Sequence, residues 1–215
     1  PLLIDFDRKA RASSFVKSIH GEIELSTIQK QALATLFSNA KSGMIIAGEL
    51  PVGFDKDAFW EFARRLQWPV LCDPLSNLRA QVPEDCKALC IAHYDAILKS
   101  ETFKATAVPD TVIRFGAQPV SKPLTLFLKK CRPEVFIALD ESPEFRDSLG
   151  VVTHHLQSSP ASVYEVPEQR KPTSYTDMWS SADQFAETET LRYEGLAGDE
   201  GVIAKTLFDM LPEGS

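Results

Sequence analysis

The chain has 215 residues, of which 44% are hydrophobic, and it carries 23 lysines and arginines against 30 aspartates and glutamates. This length suits one sizeable α/β domain with an appendage. The net charge of −7 argues against a nucleic-acid-binding surface, because such surfaces cluster lysine and arginine against phosphates.

The N-terminal segment, residues 1–21, is irregular and polar in pattern. Its first residues, PLLID, reach an acidic side chain before the apolar core of a signal peptide can form. No apolar run in the chain approaches the roughly 20 residues that cross a bilayer. We therefore expect a cytoplasmic protein without a membrane span. Since the chain does not begin with Met, we also expect it to be a fragment of a longer one.

The first regular elements are a helix and a buried strand. Ser26 and Gln29 have the spacing of a capping box, and apolar residues every four positions predict a helix to about residue 39. The apolar run 43–48 predicts a strand. Asp55 is placed to cap a second helix, and the run 68–73 predicts a second strand.

The rest of the chain repeats this alternation. The pattern predicts a helix over 88–100, a third strand over Thr111–Phe115, a helix over 123–130, a fourth strand over Val135–Asp140 and a fifth over 151–156. Strands separated by helix-length segments indicate a parallel sheet covered on both faces. Residues 167–174 read as a linker, and two helical runs follow, over 175–193 and 200–210.

The cysteines are predicted to be reduced thiols, because a chain of this size needs no disulfides for its core. They are Cys72, Cys86, Cys90 and Cys131. Their spacing does not match a zinc site. His154 and His155 are neighbours in a predicted strand, so their side chains point to opposite faces. We therefore expect no metal site.

The alternation of strands and helices raises the possibility of a nucleotide-binding domain. The loop after the first strand reads GELPVG (48–53), which lacks G-x-G-x-x-G and places a carboxylate and a proline where a pyrophosphate needs backbone N–H groups. Asp73 and Asp140 end strands as a ribose-binding acid does, but a role as a cap or loop acceptor is the favoured interpretation. Arg114, in an apolar strand, must lie at a sheet edge or pair with a carboxylate.

Lys122 breaks a local rule. Pro123 fits the first helical position, which places Lys122 at the cap, where a cation is disfavoured by a few tenths of a kcal/mol up to about 1 kcal/mol. This point follows a parallel strand, at the edge where open α/β sheets bind ligands. A lysine beside free helix N–H groups suits a carboxylate or phosphate. The alternative is a lysine that simply extends into solvent.

Several stretches together carry a recognisable combination: GMIIAGELP (43–51), WPVLCDPLSNLR (68–79), VIRFG (112–116), VSKP (120–123) and the aromatic-Arg-Asp turn at 145–147. They resemble the middle domain of the MenD family, the thiamine-diphosphate-dependent 2-succinyl-5-enolpyruvyl-6-hydroxy-3-cyclohexene-1-carboxylate synthases of menaquinone biosynthesis. The resemblance is good over about 40–165 and weaker outside it. It implies a three-layer Rossmann-like α/β domain with a mostly parallel sheet of five to six strands, plus a helical C-terminal extension.

The resemblance also implies an activity for the parent protein. In this family the first domain supplies the glutamate that activates thiamine diphosphate, and the third binds the diphosphate and Mg²⁺ or Mn²⁺ through G-D-G and a later Asn. The reaction is decarboxylation of 2-oxoglutarate, followed by addition of the succinyl-semialdehyde anion equivalent to isochorismate. The enzymes are homodimers or homotetramers. Lys122 is implied to bind a substrate carboxylate, with Ser121 as a lesser candidate.

The chain departs from the family because both outer domains are essentially missing. The segment GDEG (198–201) is not G-D-G, and no Asn follows it. We therefore expect 1–25 to be an interdomain approach, 26–166 the central domain, 167–174 a linker, and 175–215 the opening helices of the third domain. The fragment is expected to be non-catalytic, with no cofactor or metal of its own. A module that binds an FAD-like nucleotide and a purely structural or interaction module are the alternatives.

Overall fold

The computed structural model describes residues 21–142, 145–195 and 198–212. The strands are β1 (Gly43–Ala47), β2 (Val70–Cys72), β3 (Cys90–Ile91), β4 (Thr111–Phe115), β5 (Val135–Asp140) and β6 (His154–Gln157). The α-helices are α1 (Thr27–Asn39), α2 (Lys56–Leu66), α3 (Tyr94–Ile97), α4 (Glu101–Thr106), α5 (Lys122–Cys131), α6 (Pro160–Tyr164), α7 (Ser174–Leu191) and α8 (Glu200–Asp209). Two 3₁₀ helices, Pro74–Ser76 and Glu84–Leu89, lie between β2 and β3.

The strands form one six-stranded sheet in the order β3-β2-β1-β4-β5-β6, and every neighbouring pair is parallel. The strand order reverses between β1 and β4, because β2 and β3 lie on one side of β1 while β5 and β6 extend from β4. This confirms the α/β class and the predicted parallel sheet. The carboxyl edge beside β1 and β4 is the switch point where open sheets bind ligands.

Successive side chains along a strand point to opposite faces of the sheet, so the strands contribute to two apolar layers, one on each face. One layer packs under α1, α2 and α6 and includes Ile45, Ile113 and Ile137. The other packs under α3, α4, α5 and α7 and includes Ile46, Val112 and Phe136, one register step away. Both faces of the central strands are therefore buried, which explains their continuous apolar sequence.

Several predicted helix starts are confirmed in atomic detail. Ser26 and Gln29 form the full capping box at the start of α1. Asp55 accepts a hydrogen bond from the Ala58 N–H at the start of α2. These local signals survive in the fold because each depends on residues only three positions apart.

The predicted helix over 88–100 is wrong. The segment contains the end of a 3₁₀ helix, the two-residue strand β3 and the short helix α3. Cys90 and Ile91 pair with Val70 and Leu71 of β2, so pairing with the sheet overrides the helical pattern of their neighbours. The last strand begins at His154 rather than at residue 151.

The C-terminal extension begins with a helix that packs on the domain. Trp179 of α7 is fully buried in the layer beneath α3 and α5, and its ring lies edge-on to Phe103 with centroids 4.9 Å apart. α8 has no buried residue. Within the part of the chain that the structure describes, no helix combines the length and apolar character needed to cross a bilayer.

Candidate functional site

Two loops meet at the switch point and bridge it with backbone hydrogen bonds. The Gly48 N–H donates to the Phe115 carbonyl at 3.0 Å, and the Ala117 N–H donates to the Glu49 carbonyl at 3.1 Å. A Cβ on Gly48 would lie 1.7 Å from the Ala117 oxygen, so only glycine fits there. The backbones of the loops after β1 and β4 are therefore in direct contact at the switch point.

A cleft of about 1010 Å³ is lined by residues that follow β2, β3 and β4, including residues of α3 and α5. Its walls come from the turn after β2, the loop from β3 into α3, and the start of α5. Residues that line it include Asp73, Arg79, His93, Asp95 and Lys122. The cleft therefore gathers groups from segments that are 20 to 50 positions apart in the sequence.

Lys122 lies on this cleft, in the first turn of α5. The predicted cap position is wrong, because the N-cap of α5 is Ser121, Lys122 is the first helical residue and Pro123 the second. The reason is chemical: a serine hydroxyl accepts a hydrogen bond from a helix N–H, whereas an ammonium group has no acceptor. Lys122 is still at the positive end of the helix, so its charge remains locally unfavourable.

Ser121 has a structural role in this position. Its hydroxyl oxygen accepts a hydrogen bond from the Leu124 N–H at 3.2 Å and donates one to the Asp95 carboxylate at 2.5 Å. The serine therefore fixes the start of α5 against α3. Its position beside Lys122 is maintained by these two bonds.

The cations around the cleft differ in whether they have partners. Lys99 lies 3.6 Å from the Asp95 carboxylate, and Lys104 lies 2.6 Å from that of Glu101. Lys122 is exposed and has no hydrogen bond or ion pair with any described residue. An uncompensated ammonium group facing a cleft is available to an anionic ligand.

The carboxylate of Asp73 is held within the fold. One oxygen accepts a hydrogen bond from the Leu75 N–H at 2.9 Å, and the other accepts one from the Tyr94 hydroxyl at 2.9 Å. Burial, followed by the bond to Asp73, raises the pKa of Tyr94 above its ordinary value. These contacts confirm the capping interpretation of Asp73, since one oxygen caps the turn after β2 and the other is bound by Tyr94 of α3.

A second cleft, of about 820 Å³, is lined by the bridging residues Glu49 and Ala117 and contains Arg114 and Arg146. Arg114 is on the central strand β4 and is 5% exposed, so of the two predicted alternatives, a sheet edge or pairing with a carboxylate, the edge position is wrong. Its guanidinium donates to the side-chain oxygen of Gln118 at 3.1 Å and to the Arg146 carbonyl at 3.3 Å. Burial lowers its pKa, while the negative charges of Asp147 and Asp140 oppose that change.

The aromatic-Arg-Asp turn is organised by its aspartate. The carboxylate of Asp147 accepts hydrogen bonds from the N–H groups of Leu149, Gly150 and Val152 at 2.8–3.0 Å. One side chain thus shapes the loop between β5 and β6. This explains on physical grounds why an aspartate is needed at that place in the motif.

The described residues do not form a metal-binding site. They contain no group of three or more His, Cys, Asp or Glu side chains placed to hold a metal ion. Both carboxylate oxygens of Asp199 are already engaged, one by the Gly201 N–H at 2.7 Å and one by the Tyr193 hydroxyl at 2.8 Å. No step of a reaction is therefore assigned to a cofactor held by this chain.

Sequence reasoning missed the contribution of His93, Tyr94 and Asp95 to the cleft. They lie in the segment predicted as one long helix, and the short strand before them carries only two residues. One feature of the sequence does indicate them: the polar residues 93–95 come shortly after the apolar pair Cys90-Ile91, as residues at the carboxyl end of a buried strand do.

Comparisons with known proteins agree with the motif resemblance. Residues 13–214 match a family described as "Middle domain of thiamine pyrophosphate". The chain is 40% identical over 218 residues to the 2-succinyl-5-enolpyruvyl-6-hydroxy-3-cyclohexene-1-carboxylate synthase of Lysinibacillus sphaericus (strain C3-41), an alignment that covers 100% of this chain and 38% of that protein.

More distant relatives agree. The chain is 34% identical over 189 residues to the synthase of the same name from Bacillus pumilus (strain SAFR-032), covering 85% of this chain and 32% of that one. It therefore spans about a third of the length of these relatives. A solved structure of benzoylformate decarboxylase from Polynucleobacter necessarius has a TM-score of 0.40 and 12% identity, covering 76% of this chain and 31% of that one.

Proposed function

Because this chain belongs to the family of middle domains of thiamine-pyrophosphate enzymes, we propose that it is the central domain of a synthase that makes 2-succinyl-5-enolpyruvyl-6-hydroxy-3-cyclohexene-1-carboxylate. The parent enzyme then decarboxylates 2-oxoglutarate and adds the succinyl-semialdehyde anion equivalent to isochorismate. The support is the motif resemblance and the identity of up to 40% to synthases of that name.

The contribution of this chain to the reaction is substrate binding. The observation that carries this proposal is the unpaired, exposed ammonium group of Lys122 on a cleft at the carboxyl edge of the sheet. Both proposed substrates carry carboxylates, and an ammonium group near helix N–H groups binds a carboxylate by charge and hydrogen bonding. Ser121 supports this role by holding the start of α5.

The outer domains supply the remainder of the site in this proposal. They bind thiamine diphosphate and Mg²⁺ or Mn²⁺, and the cofactor supplies the carbanion chemistry. The fragment alone is inactive, the intact enzyme is a cytoplasmic homodimer or homotetramer, and residues 175–215 lead into the third domain. Isothermal titration of the 215-residue chain with thiamine diphosphate and Mg²⁺ should show no binding, and stoichiometric binding would contradict this division.

The decisive test of Lys122 uses the full-length enzyme. Lys122→Ala should lower kcat/KM for one of the two carboxylate substrates by about 10- to 150-fold, the equivalent of about 1.5–3 kcal/mol for a charged hydrogen bond. Lys122→Arg should recover part of the loss. Lys129→Ala is the matched control, because Lys129 is an exposed lysine of the same helix. If Lys122→Ala and this control have the same kcat/KM for both substrates, the proposal is contradicted.

The two alternative functions have less support. An FAD-like nucleotide requires backbone N–H groups for its pyrophosphate at the loop after β1, and here that loop carries Glu49 and Pro51 and its Gly48 N–H is bonded to the Phe115 carbonyl. The absorbance spectrum of the purified protein tests this directly, because a bound flavin would show its visible bands. For a pure interaction module, we would expect Lys122→Ala to leave substrate kinetics unchanged.

A further inference from the structure

Two cysteines from the neighbouring strands β2 and β3 are in contact within the sheet. Cys72 is the last residue of β2 and Cys90 the first residue of β3, and their sulfur atoms lie 3.5 Å apart. Both side chains pack in the layer beneath α1 and α2. Cys72 is fully buried, whereas Cys90 is half-buried, so an oxidant reaches Cys90 first.

The geometry permits a bond if β3 moves. A disulfide needs its sulfur atoms at about 2.05 Å, so the two thiols must approach by about 1.5 Å. Cys90 pairs in register with Val70, which places Cys72 two positions further along β2. Since β3 has two residues and lies at the edge of the sheet, it is held on one side only. The necessary movement therefore falls on β3 and not on the central strands.

The electrostatics favour reaction at Cys90. The hydrogen bond with Cys72 lowers the pKa of the Cys90 thiol below its ordinary value. Burial raises the pKa of Cys72 well above its ordinary value. The positive charge of Arg79 favours the thiolate at both positions, and the negative charge of Asp183 opposes it. The thiolate is the nucleophile in thiol oxidation, so the two cysteines have different roles.

We propose that Cys90 and Cys72 form a redox-sensitive pair in which a peroxide oxidises Cys90 and Cys72 then closes a reversible disulfide. In the first step the Cys90 thiolate attacks one oxygen of hydrogen peroxide, the O–O bond breaks, and the leaving hydroxide takes up a proton to become water. In the second step the Cys72 sulfur attacks the Cys90 sulfenic acid, loses its proton, and releases a second water. Two molecules of a small thiol reduce the disulfide back to two protein thiols and are themselves oxidised to a disulfide.

The pair is connected to the cleft through short contacts. The Cys72 carbonyl accepts a hydrogen bond from Arg79 Nε at 2.8 Å, and the next residue, Asp73, binds the Tyr94 hydroxyl at 2.9 Å. Arg79, Asp73 and Tyr94 all line the cleft that contains Lys122. β3 also runs directly into His93 and Tyr94 of the cleft wall, so movement of β3 in the oxidised form changes the shape of this cleft. The effect on catalysis rests on the function proposed above, whereas the disulfide itself does not.

Peptide mapping tests the pair directly, because trypsin places each cysteine in a different peptide: 66–79 for Cys72, 80–87 for Cys86, 88–99 for Cys90 and 131–146 for Cys131. The full-length protein, treated with hydrogen peroxide and alkylated before digestion, should yield 66–79 joined to 88–99, with two hydrogens fewer than the separate peptides. Dithiothreitol applied before alkylation should remove the link. Absence of this link, a link to 80–87 or 131–146 in its place, or a link between two chains would overturn the proposal.

Variants separate the roles of the two thiols. In Cys72→Ala, the sulfenic acid on Cys90 should persist and be labelled by dimedone. In Cys90→Ala, Cys72 should remain unlabelled because it is buried. Cys86→Ala is the control and should form the link as the wild-type protein does. Dimedone on Cys72 but not Cys90 would contradict the order of steps.

A kinetic readout distinguishes this proposal from the function of Lys122. Peroxide should lower the kcat/KM of the full-length enzyme, dithiothreitol should restore it, and Cys90→Ala should be insensitive. If the link forms and activity is unchanged, the coupling of the pair to the cleft is wrong while the disulfide stands. If Lys122→Ala has normal kinetics but the link forms, only the function proposed for the cleft fails.

Discussion

Ser121 and Asp95 are joined by a hydrogen bond of 2.5 Å that connects the N-terminus of α5 to α3. The same hydroxyl caps α5 by accepting from the Leu124 N–H. The wall of the cleft beside Lys122 is therefore fixed by one side chain with two partners.

Replacing Ser121 by Ala should reduce the free energy of unfolding by about 1–2 kcal/mol, because a helix cap and a hydrogen bond to a charged group are lost together. Ser121→Thr should retain most of this stabilisation, since threonine keeps the hydroxyl group. Ser100→Ala is the control: Ser100 caps α4 through the Phe103 N–H but does not bind a carboxylate, so its cost should be smaller. Urea denaturation measures all three, and equal losses for the two Ala variants would argue against the role of Asp95.

Arg114 should contribute to stability through its two neutral acceptors. Arg114→Met leaves the Gln118 side-chain oxygen and the Arg146 carbonyl without this donor, which should cost about 1–3 kcal/mol. The double variant Arg114→Met/Gln118→Leu should lose less free energy of unfolding than the two single variants lose in sum, because the two residues share one interaction. Chemical denaturation of the three variants measures the interaction free energy between the two side chains. Strictly additive losses would show that their contact does not contribute to stability.

Trp179 should hold α7 on the sheet. Trp179→Ala removes a fully buried ring and should cost about 3–5 kcal/mol. Amide hydrogen exchange over Ser174–Leu191 should accelerate in this variant. Phe185→Ala, in the same helix but 68% exposed, should change stability by less than about 0.5 kcal/mol. Equal exchange rates in the two variants would show that α7 is held by other contacts.

The free energy of unfolding should decrease in alkaline solution, in part because two buried thiols ionise less readily in the folded protein than in the unfolded chain. Burial raises the pKa of Cys86 and of Cys131 to about 11, from an ordinary value of 9.0. The folded state therefore keeps protons that the unfolded chain releases. The resulting stabilisation is complete below about pH 9 and is lost as the pH rises to about 11.

The Cys131→Ala variant isolates one of these contributions. Urea denaturation between about pH 8 and pH 11 should show a shallower fall in the free energy of unfolding for the variant than for the wild-type protein. Parallel curves for the two proteins would mean that Cys131 has the same pKa in both states.

Much of the architecture follows from local chemistry in the sequence. The apolar runs at β1, β4 and β5 predict buried parallel strands, and Ser26 and Asp55 predict helix starts that the fold retains. These signals are readable because their partners are within about four residues, or because a strand buried on both faces must be apolar throughout.

The tertiary structure decided what depends on distant partners. Cys90 and Ile91 form a strand only because β2 lies beside them, and the predicted helix there was wrong for this reason. Ser121 became the cap of α5 with Asp95, 26 positions away, as its second partner. The contact between Cys72 and Cys90, the acceptors of Arg114 and the cleft around Lys122 likewise arise from the strand order. A periodic pattern in one segment carries no information about which other segment it meets, because that choice is made by the packing of the whole sheet.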